Sequence, residues 1–231
     1  MSAESSAPTS AGPSRSGARR RLSRTAVLVT IAVIAVVLLV VDQVTKNWAE
    51  ANLPLLEPQP FLGEFLQLTL LYNTGAAWGM GEGITPVVTC LQIAIVIGVI
   101  VFAVRSVRSP WYTLALGLIM GGALGNIHDR LLRAPGPFHG AVVDFLQFGR
   151  IPVINYDWPV FNIADMAVVG GAILVILLGL LGQDADPARA EAEAREIAAA
   201  EAAAAPDDEA AAEEPAAPQA PSAESDRPEE R

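Results

Sequence analysis

Five short polar clusters interrupt an otherwise apolar chain of 231 residues, and they hold most of the side chains able to do chemistry. They are Asp42-Gln-Val-Thr-Lys46, Asn73-Thr-Gly75-Ala-Ala-Trp78, Gly121-Gly-Ala-Leu-Gly-Asn126-Ile-His-Asp129-Arg130, Val142-Val-Asp144-Phe145 and Phe161-Asn162-Ile-Ala-Asp165. Asp144 and Asp165 matter most. Two carboxylates held close together in an apolar setting cannot both ionise, so they share a proton. One can then deprotonate a water for attack on a peptide carbonyl while the other protonates the carbonyl oxygen. On these two residues alone a second reading stays open: Asp165 complements the positive end of a helix and Asp144 is a loop residue.

The other clusters carry similar alternatives. Asp42 and Lys46 are spaced i, i+4 and can pair on one helical face, as a site feature or as an interfacial ion pair. Asn126 and Asp129 stand three apart, and Arg130 offers a planar fork to a carboxylate or a lipid phosphate. Gly121, Gly122 and Gly125 permit close helix packing. Asn73 and Gly75 open a turn, where Asn73 can bond a substrate backbone or the turn itself. His128 and His139 have no partners at metal-ligand spacing, so no metal site is expected. Cys90 reads as a buried apolar residue rather than a nucleophile. No phosphate-binding or dinucleotide motif is present, and no nucleic-acid partner is expected.

These residues must be positioned by apolar spans. Thr25–Val41, Ile84–Val104, Trp111–Ile127 and Phe161–Gly182 are each long enough, at 17 to 22 residues, to approach the roughly 20 helical residues a bilayer requires. The expected fold is an all-α polytopic membrane protein of four transmembrane helices, about 25–41, 84–104, 111–127 and 161–182. Thr25–Val41 also resembles a secretory signal behind a cationic arm, but it is long for one and no small-x-small cleavage site follows it. Basic residues set the orientation. With the N-terminus inside, nine Arg flank the inner ends, and Lys46, Arg130, Arg133 and Arg150 lie outside. Both termini are then cytoplasmic, and all five clusters fall at the outer face.

Charge is distributed unevenly. The formal net charge is −10, with 52% hydrophobic and 17% charged residues. Residues 183–231 hold 15 acids against four Arg, whereas 1–182 are nearly neutral. Residues 1–24 read as a disordered basic arm, 25–182 as the membrane domain, and 183–231 as an acidic Ala/Glu/Pro-rich tail, helix-prone over Ala188–Ala205 but without an apolar stripe. Between the spans, Leu66–Leu70 alternates apolar and polar side chains and predicts a strand running into Tyr72-Asn73. Ile151–Tyr156 predicts a second extended piece. Trp78, Trp111, Tyr112, Tyr156 and Trp158 suit an interfacial aromatic belt.

Taken in order, Asp42-Gln-x-x-Lys46, Asn73-x-Gly-Ala-Ala, Gly-Asn126-x-x-Asp129-Arg130, Val-Val-Asp144-Phe and Phe-Asn162-x-Ala-Asp165 closely resemble bacterial lipoprotein signal peptidase, signal peptidase II, over roughly residues 25–182. The resemblance implies an aspartic endopeptidase of the inner membrane that needs no cofactor. It implies removal of the signal peptide from diacylglyceryl-modified prolipoproteins, before the lipid-modified cysteine, by a monomer among membrane phospholipids. Asp144 and Asp165 match the catalytic dyad. Asp42, Lys46, Asn73, Gly75, Asn126, Asp129, Arg130 and Asn162 match residues that shape the site or hold substrate and the inhibitor globomycin. A small extracytoplasmic β-cradle is implied as well. The competing readings are a small proton-coupled transporter, which predicts acids spread through the depth of the bundle, and a structural subunit whose polar groups merely pair with one another.

Overall fold

The computed structural model describes residues 21–75, 85–150 and 156–204. Its elements run α1 (Arg24–Asn52), β1 (Gln59–Leu62), β2 (Leu66–Asn73), α2 (Thr85–Ser106), α3 (Pro110–Leu132), β3 (Val142–Phe148), α4 (Ile163–Leu180) and α5 (Pro187–Ala204). The chain separates into two units, residues 1–190 and 191–231.

Helices α1, α2 and α4 are long and apolar enough to cross a membrane. Their outer faces carry exposed large apolar side chains, among them Val29, Val33, Val36, Val40, Ile97, Val101, Ile173 and Ile176. A water-soluble protein would bury such a surface; here it is the side that lipid covers. Cys90 belongs to that side too. The sequence reading placed it inside, but it is exposed on α2, because an apolar span in lipid has no need to turn its apolar residues inward.

The 23-residue α3 differs from the other three. It packs against α1, α2 and α4, and most of it is buried, including Tyr112, Leu116, Met120, Asn126, Asp129 and Arg130. Small residues let its neighbours close in. A Cβ on Gly122 would stand 2.3 Å from the Ala164 carbonyl oxygen on α4, and one on Gly125 would stand 2.6 Å from Asp42 on α1. Without a strong hydrophobic drive between helices in lipid, such backbone approach is the main source of packing.

Helix boundaries differ from the sequence reading in one instructive way. The first helix does not stop at Val41 but continues to Asn52. Its polar extension keeps Asp42, Lys46 and Ala49 buried while Val44 and Trp48 stay exposed. An apolar-run criterion ends a helix at its first charge, even where that charge is turned into the bundle.

The expected strand at Leu66–Asn73 is β2, the centre of an antiparallel sheet of order β1-β2-β3. Ala49 of α1 packs beneath it with Leu70, Val143, Phe145 and Leu146. The register between β2 and β3 shifts between Leu68 and Leu71, after which Leu71 faces Asp144 and Asn73 faces Val142. Such a bulge re-aims the side chains beyond it. Residues 151–155 of the second expected extended piece lie outside the described residues, as does Trp78.

At the opposite end of the bundle Ser23 caps α1 through the Ala26 N–H. The Arg108 and Ser109 N–H groups both donate to the Ala185 carbonyl, Tyr112 Oη donates to the Gln183 carbonyl, and Arg21 pairs with Asp186 at 3.1 Å. The start of the acidic segment is thus tied to the α2–α3 connection. Beyond it, α5 is helical with its described positions from Glu191 onward exposed, which fits a sequence rich in Ala and Glu that has no face to bury. Residues 1–20 and 205–231 lie outside the described residues.

Candidate active site

Ten polar positions singled out in the sequence come together in one hydrogen-bonded network at the end of the bundle that carries the sheet. Its base is Lys46 of α1, fully buried at 0% exposure. Its ammonium lies 2.8 Å from Asp42 Oδ2, 2.8 Å from Asp129 Oδ2 and donates to Asn126 Oδ1 at 3.0 Å. The i, i+4 pairing of Asp42 and Lys46 is therefore real, and a third helix completes it. Asp42 also accepts the Ala164 backbone N–H of α4, and Asp129 accepts that of Val143 on β3. One buried cation and two carboxylates thereby tie α1, α3, α4 and the sheet together.

The next layer consists of amides. Asn126 Nδ2 donates to Asp165 Oδ1 at 2.8 Å. Asn162 is the N-cap of α4 and forms a capping box with Asp165: the Asp165 N–H donates to Asn162 Oδ1, and the Asn162 N–H donates to Asp165 Oδ2. The sequence Asn-x-x-Asp dictates that arrangement, since the cap side chain and the third helical residue satisfy each other's backbone N–H. Asn162 Nδ2 turns the other way, donating to Asp144 Oδ1 at 2.7 Å and to Asn126 Oδ1 at 3.2 Å.

Asp144 is brought in from the sheet. Val142, Val143, Phe145 and Leu146 around it are all buried, so the strand itself sinks the carboxylate, which is 1% exposed. Asn73, across the bulged pairing with β2, donates to Asp144 Oδ2 at 3.0 Å. Burial and the nearby Asp165 push the Asp144 carboxyl up to about 7, against the opposing pull of its two amide donors. Arg130 closes the ring from α3. Its guanidinium donates to the carbonyls of Asn73, Gly75 and Gly140, while the Gly75 N–H donates to Asn73 Oδ1. Arg130 therefore fastens the turn that carries Asn73 rather than clasping a carboxylate.

Asp144 and Asp165 both line an open cavity of about 620 Å³, together with Asn73, Trp158, Phe161 and Val169. One wall is polar and holds the carboxylates; the rest is largely aromatic and aliphatic. Three supporting residues, Gln43, Arg133 and Glu50, had no site role in the sequence reading, although Gln43 stands in its first motif. Gln43 donates to Asp42, to the Gly125 carbonyl and to Asp129. Arg133 bridges Asp129 and Glu50. Its i, i+4 spacing from Asp129 was the available signal.

Fold and site together define a multi-pass membrane protein with a buried network of carboxylates and amides at one end of its bundle. The family profile described as "Signal peptidase (SPase) II" matches residues 34–181. The lipoprotein signal peptidase of Mycobacterium avium (strain 104) is 46% identical over 153 residues, covering 66% of this chain and 80% of that one. The protein of the same name from Rhodococcus jostii (strain RHA1) is 45% identical over 157 residues, covering 68% and 75%. A solved structure of a bacterial membrane enzyme superposes with a TM-score of 0.59 at 31% identity, covering 70% of this chain and 92% of that one. The chain belongs to the signal peptidase II family, and so to a family of membrane proteases.

Proposed function

We propose that this protein is an aspartic endopeptidase that removes the signal peptide from diacylglyceryl-modified prolipoproteins, cleaving before the lipid-bearing cysteine. One observation carries the aspartic assignment: Asp144 and Asp165 are brought to one cavity from different elements, each held by an asparagine amide. The pair shares one proton. Its ionised member takes a proton from water, and the resulting hydroxide adds to the scissile carbonyl as the protonated member gives its proton to the carbonyl oxygen. The tetrahedral species then collapses with proton transfer to the departing amine, leaving a carboxylic acid and a free N-terminal cysteine. No step requires a metal or organic cofactor. Because each member exchanges its proton with the other, acid and base roles belong to the pair.

Asn73, Asn126 and Asn162 hold the carboxylates, and Asp42, Lys46, Asp129, Arg130 and Gly75 hold those amides and their backbone. The mainly apolar cavity wall of Trp158, Phe161 and Val169 suits a substrate that is itself lipid-anchored. In this reading α3 crosses the bilayer as the fourth, internal helix, screened from lipid by α1, α2 and α4. The enzyme sits in the inner membrane among phospholipids, with both termini cytoplasmic and the site and β-sheet on the outer face. One chain supplies both carboxylates, so a monomer suffices. The transporter reading is not favoured: the acids of the spans are gathered at one end rather than spread along a path.

The test is cleavage of a synthetic diacylglyceryl prolipoprotein peptide by the purified protein in lipid–detergent micelles. Wild type should cleave before the modified cysteine. Asp144→Asn and Asp165→Asn should each lose about 10³-fold or more in kcat. An inert wild type, or a variant that retains substantial cleavage, rejects the assignment.

A further inference from the structure

The two carboxylates line a second pocket as well as the large cavity. Besides the open cleft, Asp144 and Asp165 line a smaller chamber of about 190 Å³, shared with Asn73, Asn126, Arg130 and Gln92. Two of these residues bring buried polar atoms that no protein group among the described residues satisfies: Gln92 Oε1 and Arg130 Nε. Gln92 lies two turns into α2, in a span with no charged residue before Arg105, where an amide is costly unless it has a task. Thr85 and Thr89, on the same helix, donate to the Thr74 carbonyl and to the Thr85 and Phe138 carbonyls respectively, so both hydroxyls at this end have partners. Gln92, which lines the pocket with the dyad, is left with an Oε1 that has no bonding partner among the described residues.

An orphaned acceptor and an orphaned donor on the wall of one polar chamber call for a guest that both donates and accepts. Water does so, and a chamber of this size holds a few molecules at about 30 Å³ each. The open cleft, lined by Trp158, Pro159, Val160, Phe161 and Val169, offers an apolar path suited to the substrate. We infer that the dyad serves two adjoining pockets: the larger receives the lipopeptide, and the smaller, on the α2 side, holds ordered water that Gln92 and Arg130 position for hydrolysis. Gln92 is then a positioning residue, acting on the reaction through water. This inference rests on the hydrolytic reading of the site. It gives that reading a polar place for water apart from the apolar wall that suits the substrate.

The experiment has two arms. The first is a high-resolution crystal structure of the wild type in lipid, which should show ordered water within hydrogen-bond reach of Gln92 Oε1 and Arg130 Nε. The second is steady-state cleavage by Gln92→Met, which keeps the volume but removes the acceptor, and by Gln92→Glu, which restores an oxygen acceptor. Gln92→Met should lower kcat on the order of 10-fold to 100-fold with KM within about twofold, and Gln92→Glu should recover most of that loss. A dry chamber overturns the inference, as does a Gln92→Met enzyme with unchanged kcat or with its loss confined to KM. A variant that fails to fold leaves the crystallographic arm to decide. If the wild type does not cleave at all, or Asp144→Asn does, it is the peptidase reading that fails, and the water arm still reports on the chamber.

Discussion

Asn162 joins the two carboxylate-bearing residues through one side chain: its Nδ2 donates to Asp144 Oδ1 at 2.7 Å while its Oδ1 receives the Asp165 backbone N–H at 2.9 Å. The start of α4 and the aim of the strand-borne carboxylate are therefore set by the same amide. Asn162→Ala removes a helix cap, worth about 1 kcal/mol, and deprives a buried carboxylate of a donor. Asn162→Asp keeps the cap but replaces the donor with a second negative charge against Asp144. Thermal melts should show Asn162→Ala destabilised by about 1–3 kcal/mol. Cleavage should drop by about 100-fold or more in both variants, with Asn162→Asp the more stable of the two at pH 5. Equal activity in Asn162→Asp and wild type would refute the coupling.

Lys46 pairs with both Asp42 and Asp129, and all three are buried; Arg133 also reaches Asp129. Removing one partner of such a cluster strands the others, which typically costs about 3–5 kcal/mol, a large share of the roughly 5–15 kcal/mol that holds a domain folded. Lys46→Met should therefore fold poorly or melt far below wild type. Lys46→Arg should not rescue it, because a guanidinium has no room where the ammonium is fully enclosed. The triple variant Asp42→Asn/Lys46→Met/Asp129→Asn, which leaves no charge in that cluster, should recover much of the lost stability but little cleavage, since Asn126 still loses the Lys46 donor. Fluorescence-detected size-exclusion profiles and melts of the three proteins decide this. A well-folded Lys46→Met would show that the cluster is not what holds α1, α3 and α4 together.

How much of this was legible in the sequence depended on whether a residue's partner lay nearby in the chain. Asp42–Lys46 and Asn162–Asp165 obey helical spacing and could be anticipated. Lys46–Asp129 and Asn126–Asp165 join different helices, and only their shared face suggested them. Strand β2 announced itself by alternation, but β3 did not. Val142–Phe148 is buried on both faces for five residues, so it lacks the period of two that marks a half-exposed strand. The true end of α1 was hidden because the helix goes on after its apolar run stops. Gln92 was readable as an uncharged amide in an apolar span, yet nothing in the sequence said that it faces the dyad.

Gly122 lies where α3 meets α4, four residues before Asn126. A Cβ there would stand 2.3 Å from the Ala164 carbonyl oxygen, and that oxygen belongs to helix backbone one residue before Asp165. The helices would have to separate, and Asn126 and Asp165 would move apart with them. Gly122→Ala should cost about 1–3 kcal/mol and at least tenfold in cleavage. Gly170→Ala, later on α4, meets nothing within 4 Å and serves as the matched control, with stability within about 0.5 kcal/mol of wild type and unchanged activity. Melts and cleavage rates measured side by side test whether backbone proximity, rather than glycine content, is what the site needs.

The raised Asp144 carboxyl makes stability and activity depend on the same proton, and both decline as pH rises, stability below about 7 and activity above it. Its ordinary value is 3.8, and in the folded protein burial and Asp165 push it up to about 7. Between those limits the folded state holds a proton that the unfolded chain releases, so folding is favoured at the acid end. That advantage is lost progressively as pH rises through the window and levels off above about 7. Thermal melts of the wild type should accordingly decline from pH 5 to pH 7.5, and Asp144→Asn, which cannot titrate there, should show a flatter profile. Cleavage needs one proton on the pair. It should fall above about pH 7, as the shared proton is lost, although the protein remains folded. A melt that rises with pH across the window, or a cleavage rate that keeps increasing well above pH 8, would show that the pair does not hold a shared proton there.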